Sequence, residues 1–177
     1  MFKLILKTVG TGSVSEPVSI PEDDSFKALG GRLQNAMKLS SGKRSLAIRE
    51  VDAGSTNAEE QELTALSNAY YDLERFGLHF VASPRHADVL MVTGAVSRNM
   101  KAALLKTYEA TPEPKIVIAV GDDAIDGGAF KGSYAIEGGV KDVIPVDFEI
   151  PGDPPSPKVV LAHLVRIMES LGRAPHR

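Results

Sequence analysis

With 177 residues, 43% hydrophobic and 6% aromatic, and a formal net charge of −3, the chain is one domain's worth of sequence with enough apolar residues for a sizeable core. No lysine or arginine block appears, which argues against a general nucleic-acid surface, and the absence of cysteine rules out disulfides. No run approaches the roughly 18–20 continuous apolar residues that span a bilayer, and the N-terminus lacks an apolar signal core, so the expectation is a soluble, cytoplasmic chain with no membrane span of its own.

Residues 1–44 are expected to form an extended N-terminal arm that docks on partner subunits. A short basic apolar run over 2–9 is followed by Gly10, Gly12, Pro17, Pro21 and Gly30-Gly31, a stretch too rich in turns to bury much by itself. A folded domain is expected over 45–177. Within it, 45–52 alternates well enough for a strand, and 60–68 carries apolar or small residues at helical spacing after a Ser/Thr/Asn-rich start. Further strands are predicted over 78–82 and 89–93, a helix over 98–109, and a buried strand over 116–120 bounded by Pro114 and Gly121. A last strand over 143–150 precedes a closing helix over 157–171, with Val159, Val160, Leu164, Ile167, Met168 and Leu171 on or near one face.

Strands alternating with helices predict an α/β fold, a mainly parallel sheet with helices on both faces. Ligand sites in such sheets form outside the carboxyl ends of the strands. Three turns follow predicted strands at that end: Ser55-Thr56-Asn57-Ala58-Glu59-Glu60-Gln61-Glu62, Gly121-Asp122-Asp123-Ala124 and Pro151-Gly152-Asp153-Pro154-Pro155. These sequence-distant loops are therefore expected to meet. Other motifs carry less. Neither Gly127-Gly128 nor Gly138-Gly139 precedes a Lys-Ser/Thr pair, so no nucleotide site is predicted. The histidines at 79, 86, 163 and 176 lack ligand spacing with one another, and Ser83-Pro84-Arg85-His86 comes without a G-x-S-x-G elbow.

The three turns resemble the cluster-binding loops of the small electron-transfer subunit shared by complex I and the membrane-bound nickel-iron hydrogenases, whose pattern reads C-x-x-C-E-x-E, G-D/S-C and P-G-C-P-P. The likeness extends through Tyr71-Asp72-Leu73-Glu74-Arg75-Phe76-Gly77, Ala82-Ser83-Pro84-Arg85-His86-Ala87-Asp88 and Val143-Ile144-Pro145-Val146-Asp147. The opening residues 2–12 and Asp52-Ala53-Gly54-Ser55 look more like the hydrogenase branch, in particular the formate hydrogenlyase and energy-converting group. The resemblance implies a flavodoxin-like strand order. Its implied partners are a hydrogenase-like large subunit, a ferredoxin-like subunit and ion-translocating membrane subunits, which would hold the chain at the inner membrane as a peripheral protein. At the family's four cysteine positions stand Thr56, Glu59, Asp123 and Asp153.

A four-iron cluster is held by soft thiolates, whereas hydroxyl and carboxylate are hard oxygen donors suited to magnesium, calcium or manganese. No iron-sulfur cluster is therefore expected. Two carboxylates about 4 Å apart repel by several kcal/mol at an effective dielectric of about 20, so three acids brought together need protons, a divalent cation, or basic partners such as Arg85 and Lys131. The reading that follows is a redox-silent, non-catalytic structural homologue of the small subunit. The alternative is a divalent-metal site with hydrolytic or lyase chemistry, with Glu59, Asp123 and Asp153 as ligands and Glu62 as base. Glu62 also matches an acidic position beside the family's large-subunit interface, which makes it a candidate for proton transfer or interface hydrogen bonding.

Overall fold

In chain order the elements are β1 (Leu46–Asp52), α1 (Ala58–Ala65), β2 (Leu78–Phe80), β3 (Val89–Thr93), β4 (Val96–Ser97), α2 (Arg98–Ala110), β5 (Ile116–Val120), α3 (Asp122–Asp126), β6 (Ile136–Gly138), β7 (Phe148–Ile150) and α4 (Pro157–Arg173). They come from a computed structural model that describes residues 45–173, together with Ala28, Gly31 and Asn35, each of which is helical. The arm expected over 1–44 otherwise lies outside the described residues.

Five strands form one parallel sheet in the order β2-β1-β3-β5-β7. Counted along the chain without the small β4–β6 pair, this is the 2-1-3-4-5 flavodoxin-like order, with its switch point between β1 and β3. A parallel sheet must be covered on both faces, and the sequence supplies the apolar runs for it: all five residues of β3 are buried. One core packs Ile48, Val89, Met91, Ile118 and Ile150 of the sheet against Leu63 of α1 and Val160, Leu161, Leu164, Val165, Ile167 and Met168 of α4. The other packs Val51, Leu90, Val92, Val117 and Ala119 against Leu104 of α2 and Ala124 of α3.

The strand expected over 143–150 is shorter. Residues Val140–Asp142 make a 3-10 turn, and only Phe148–Ile150 pair with β5. Pro145 has no N–H to offer a ladder. In its place Asp147 extends the pairing by one residue: its backbone N–H donates to Val117 O at 2.9 Å, and its Oδ2 accepts from Val117 N at 2.8 Å. Asp88 does the same at the start of β3, with its N–H on Ala47 O at 2.8 Å and its Oδ2 accepting from Ala47 N at 3.0 Å. Two aspartates thus lock the entries of two strands. On α4, Val160, Leu164, Ile167 and Met168 are buried as the spacing predicts, while Val159 is exposed.

Helix α1 begins two residues before the expected start at 60, because Asn57 adopts the left-handed conformation (φ 70°) and lets Ala58 enter the helix. It stops before 68, because its last turn tightens into i to i+3 bonds from Leu66, Ser67 and Asn68. Replacing Asp147 by alanine leaves the Val117 N–H without its side-chain acceptor. The Asp147→Ala variant is expected to lose about 1–3 kcal/mol in urea denaturation, with an unchanged m-value.

Candidate functional site

The three special turns follow β1, β5 and β7, all at the carboxyl end of the sheet. Strands β5 and β7 are neighbours, and their turns are stitched directly: Gly121 N donates to Ile150 O, Asp122 N to Gly152 O, and Gly152 N back to Asp122 Oδ1, each at 2.9 Å. The loop after β1 has further to travel, since β3 stands between β1 and β5. It passes over the end of β3 at Gly94 (φ 71°), where a Cβ would lie 2.3 Å from the Ser55 backbone. Short-range acceptors hold the loop on that course. Asp52 Oδ1 takes the N–H groups of Gly54 and Ser55 at 2.7 and 2.8 Å, and Ser55 Oγ takes that of Asn57 at 2.9 Å.

The first turn of α1 then delivers Glu59 to the β5 turn. Glu59 precedes Leu63 by four residues, so it shares the buried stripe of the helix. It is 1% exposed and lies so close to Gly121 (φ 92°) that a Cβ there would come within 2.7 Å of Glu59 Oε1. Neither carboxylate oxygen has a hydrogen-bond partner. Burial pushes the Glu59 carboxyl above its ordinary range, its own nearby backbone amide offsets part of this without reaching hydrogen-bond geometry, and Glu60, Asp123 and Asp153 push it further up. Asp123, 7% exposed at the start of α3, is also raised, first by burial. The Ala129 amide pulls it back in part, and Asp153, Asp122 and Asp126 add repulsion.

The loops therefore meet, but the four positions at issue divide into a buried pair, Glu59 and Asp123, and two exposed residues, Thr56 and Asp153. Glu59, Asp123 and Asp153, the ligands of the alternative metal reading, do not converge as a set: among the described residues no group of three or more His, Asp or Glu side chains is arranged so that it could hold a metal ion. Asp123 turns toward the Gly128–Ala129 backbone, Asp153 faces outward, and Glu59 lies against Gly121. The basic partners are elsewhere as well. Lys131 pairs with Asp126 at 3.3 Å, and Arg85 is exposed in the Pro84–His86 turn. Glu62 is half-buried on α1, one helical turn beyond Glu59.

A second group of acids was not anticipated. The Thr93 hydroxyl, fully buried at the end of β3, makes a short hydrogen bond to Glu60 Oε1 and lies 3.5 Å from Glu50 Oε1. Both acids line a cleft of about 260 Å³ with Arg49, Thr64 and Phe80. Burial, followed by Glu60, raises the Glu50 carboxyl; Arg49 lowers it and Asp52 raises it again, and Thr93 lowers it last. Glu60 Oε2 and Arg49 Nε are buried without partners. The available signal was Arg49-Glu50 itself, two adjacent charges inside a strand of a covered parallel sheet.

The profile of the family described as NADH ubiquinone oxidoreductase, 20 Kd subunit, matches residues 57–167. Formate hydrogenlyase subunit 7 of Escherichia coli strain K12 is 40% identical over 145 residues, which are 82% of this chain and 55% of that protein. This chain thus spans little more than half the length of that relative. A probable membrane-bound hydrogenase subunit of Pyrococcus furiosus is 41% identical over 130 residues, 73% of this chain and 78% of the relative. A chain in the structure of the membrane-bound sulfane sulfur reductase, an archaeal respiratory membrane complex, aligns with a TM-score of 0.66 at 34% identity, covering 81% of this chain and 77% of that one.

The raised carboxyl of Asp123 has a definite sign. Its contribution to stability is complete below the ordinary aspartate range of about 4 and is lost as pH rises through the folded value. Asn keeps an oxygen for the Ala129 amide but cannot ionise. The Asp123→Asn variant is expected to gain stability over the parent as pH is raised from about 4 toward 8, and the difference in urea midpoint between the two proteins measures it.

Proposed function

Because the chain belongs to the NADH ubiquinone oxidoreductase 20 Kd subunit family, we propose that it is a redox-silent structural subunit of a membrane-associated assembly related to complex I and the membrane-bound hydrogenases. The single observation that carries this reading is the donor set at the four cluster positions. Thr56, Glu59, Asp123 and Asp153 offer only oxygen, and the chain has no cysteine anywhere to substitute for them. A cubane of iron and sulfide takes thiolate ligands. The residues present do not fit the cluster, and no electron transfer is assigned to this position.

The chain would then contribute shape and contact surface. Support comes from two sides: the turns that would surround a cluster are all formed, and the relatives include subunits named for membrane-bound hydrogenase and formate hydrogenlyase. In this reading a hydrogenase-like large subunit packs over the carboxyl end of the sheet, a ferredoxin-like subunit lies nearby, and ion-translocating membrane subunits provide the anchor. No helix among the described residues is long and apolar enough to cross a membrane, so attachment of this domain is assigned to partners on the cytoplasmic side.

Purification of the native complex with its partners, followed by metal analysis and electron paramagnetic resonance, tests the proposal. The expected result is no four-iron signal assignable to this subunit, with any iron accounted for by cysteine-bearing partners. A cluster signal that shifts or disappears in a variant carrying Glu59→Gln and Asp123→Asn would overturn it.

A further inference from the structure

We propose that Glu59 is a proton-binding site, a neutral carboxylic acid at physiological pH, occupying the position at which the resemblance would place a cluster ligand. This deepens the redox-silent reading and rests on it, since a metal at the site would change the charge of everything around it.

The geometry leaves few other states open to this side chain. Glu59 is 1% exposed, both of its oxygens are without a hydrogen-bond partner, and no lysine or arginine among the described residues pairs with it. Three acids act on it: Glu60 from its own helix, Asp123 from α3, and Asp153 from the turn after β7. An isolated buried carboxylate is costly enough that such groups neutralise instead, and repulsion from three acids acts in the same direction. No group of three or more acidic or histidine side chains among the described residues is arranged so that it could hold a metal ion there. The ligand whose chemistry matches a buried carboxyl with two unpartnered oxygens is a proton. It removes the charge, and it is small enough for a carboxyl that already lies against the Gly121 turn, where even a Cβ would collide.

The proton would also lie next to a second acidic group. Glu60, the following residue, is bonded through Thr93, and Glu50 is within reach of the same hydroxyl. Both line the open cleft.

The test is carbon-13 NMR of the full chain with labelled glutamate side-chain carboxyls. At pH 7 one glutamate carboxyl resonance is expected at the protonated position, titrating at higher pH, and Glu59→Gln should remove it. The glutamine is close in shape to the neutral acid, so the variant is expected to fold. If it does not, Glu59→Asp, which keeps the acid and moves it, should shift that same resonance. Glutamate resonances all at the ionised position at pH 7, or a protonated one that neither variant affects, would overturn the proposal. An ionised Glu59 in an iron-free chain sinks only the proton site, whereas a cluster assigned to this subunit in the complex sinks the reading beneath it.

Discussion

An acid on the apolar stripe of α1 is the constraint on which the carboxyl end of this sheet depends. Helical periodicity places Glu59 on the same side as Leu63, so burying the leucine in the core against α4 also buries the acid. The price in desolvation is set by a position that cannot be moved without withdrawing Leu63 from the core. Everything near Glu59 follows from that: the α1 turn has to approach the β5 turn closely, Gly121 has to lack a side chain, and the charge has to be suppressed because the surrounding groups are acids.

Much of the fold could be read from the sequence, for a physical reason. The strands over 89–93 and 116–120 are continuous apolar runs between turn-forming residues, and both occur where periodicity and boundaries put them. The convergence of the three turns followed from the topology of a parallel sheet, and the turns do meet. What the sequence could not disclose was the use of side chains as backbone. Asp147 and Asp88 stand in for ladder residues, and neither is distinguishable in sequence from an ordinary turn aspartate. Hence a strand expected to begin at 143 begins at Phe148.

The site was legible in its members and not in its geometry. Loop order brings Glu59 and Asp123 together, but whether a side chain at a turn faces inward depends on the backbone at one or two residues. The left-handed Asn57 aims Glu59 inward, and Asp123 points to the Ala129 amide, so the two share a field without sharing a ligand. Asp153, on an equally plausible turn, stays exposed. The group at Thr93 was missed for a related reason: Glu50, Glu60 and Thr93 come from two strands and a helix, and only the folded chain brings them together.

A metal that binds only the folded chain adds its binding energy to the fold, and turns without one must be held by contacts of their own. Each turn closes on oxygen acceptors of its own or of its neighbour: Asp52 and Ser55 before α1, the Gly121 carbonyl under Ile125, and Asp122 across to Gly152. None of these bonds involves Thr56, Glu59 or Asp153. The conformation of the turns thus rests on contacts within the chain and not on the side chains at 56, 59 and 153.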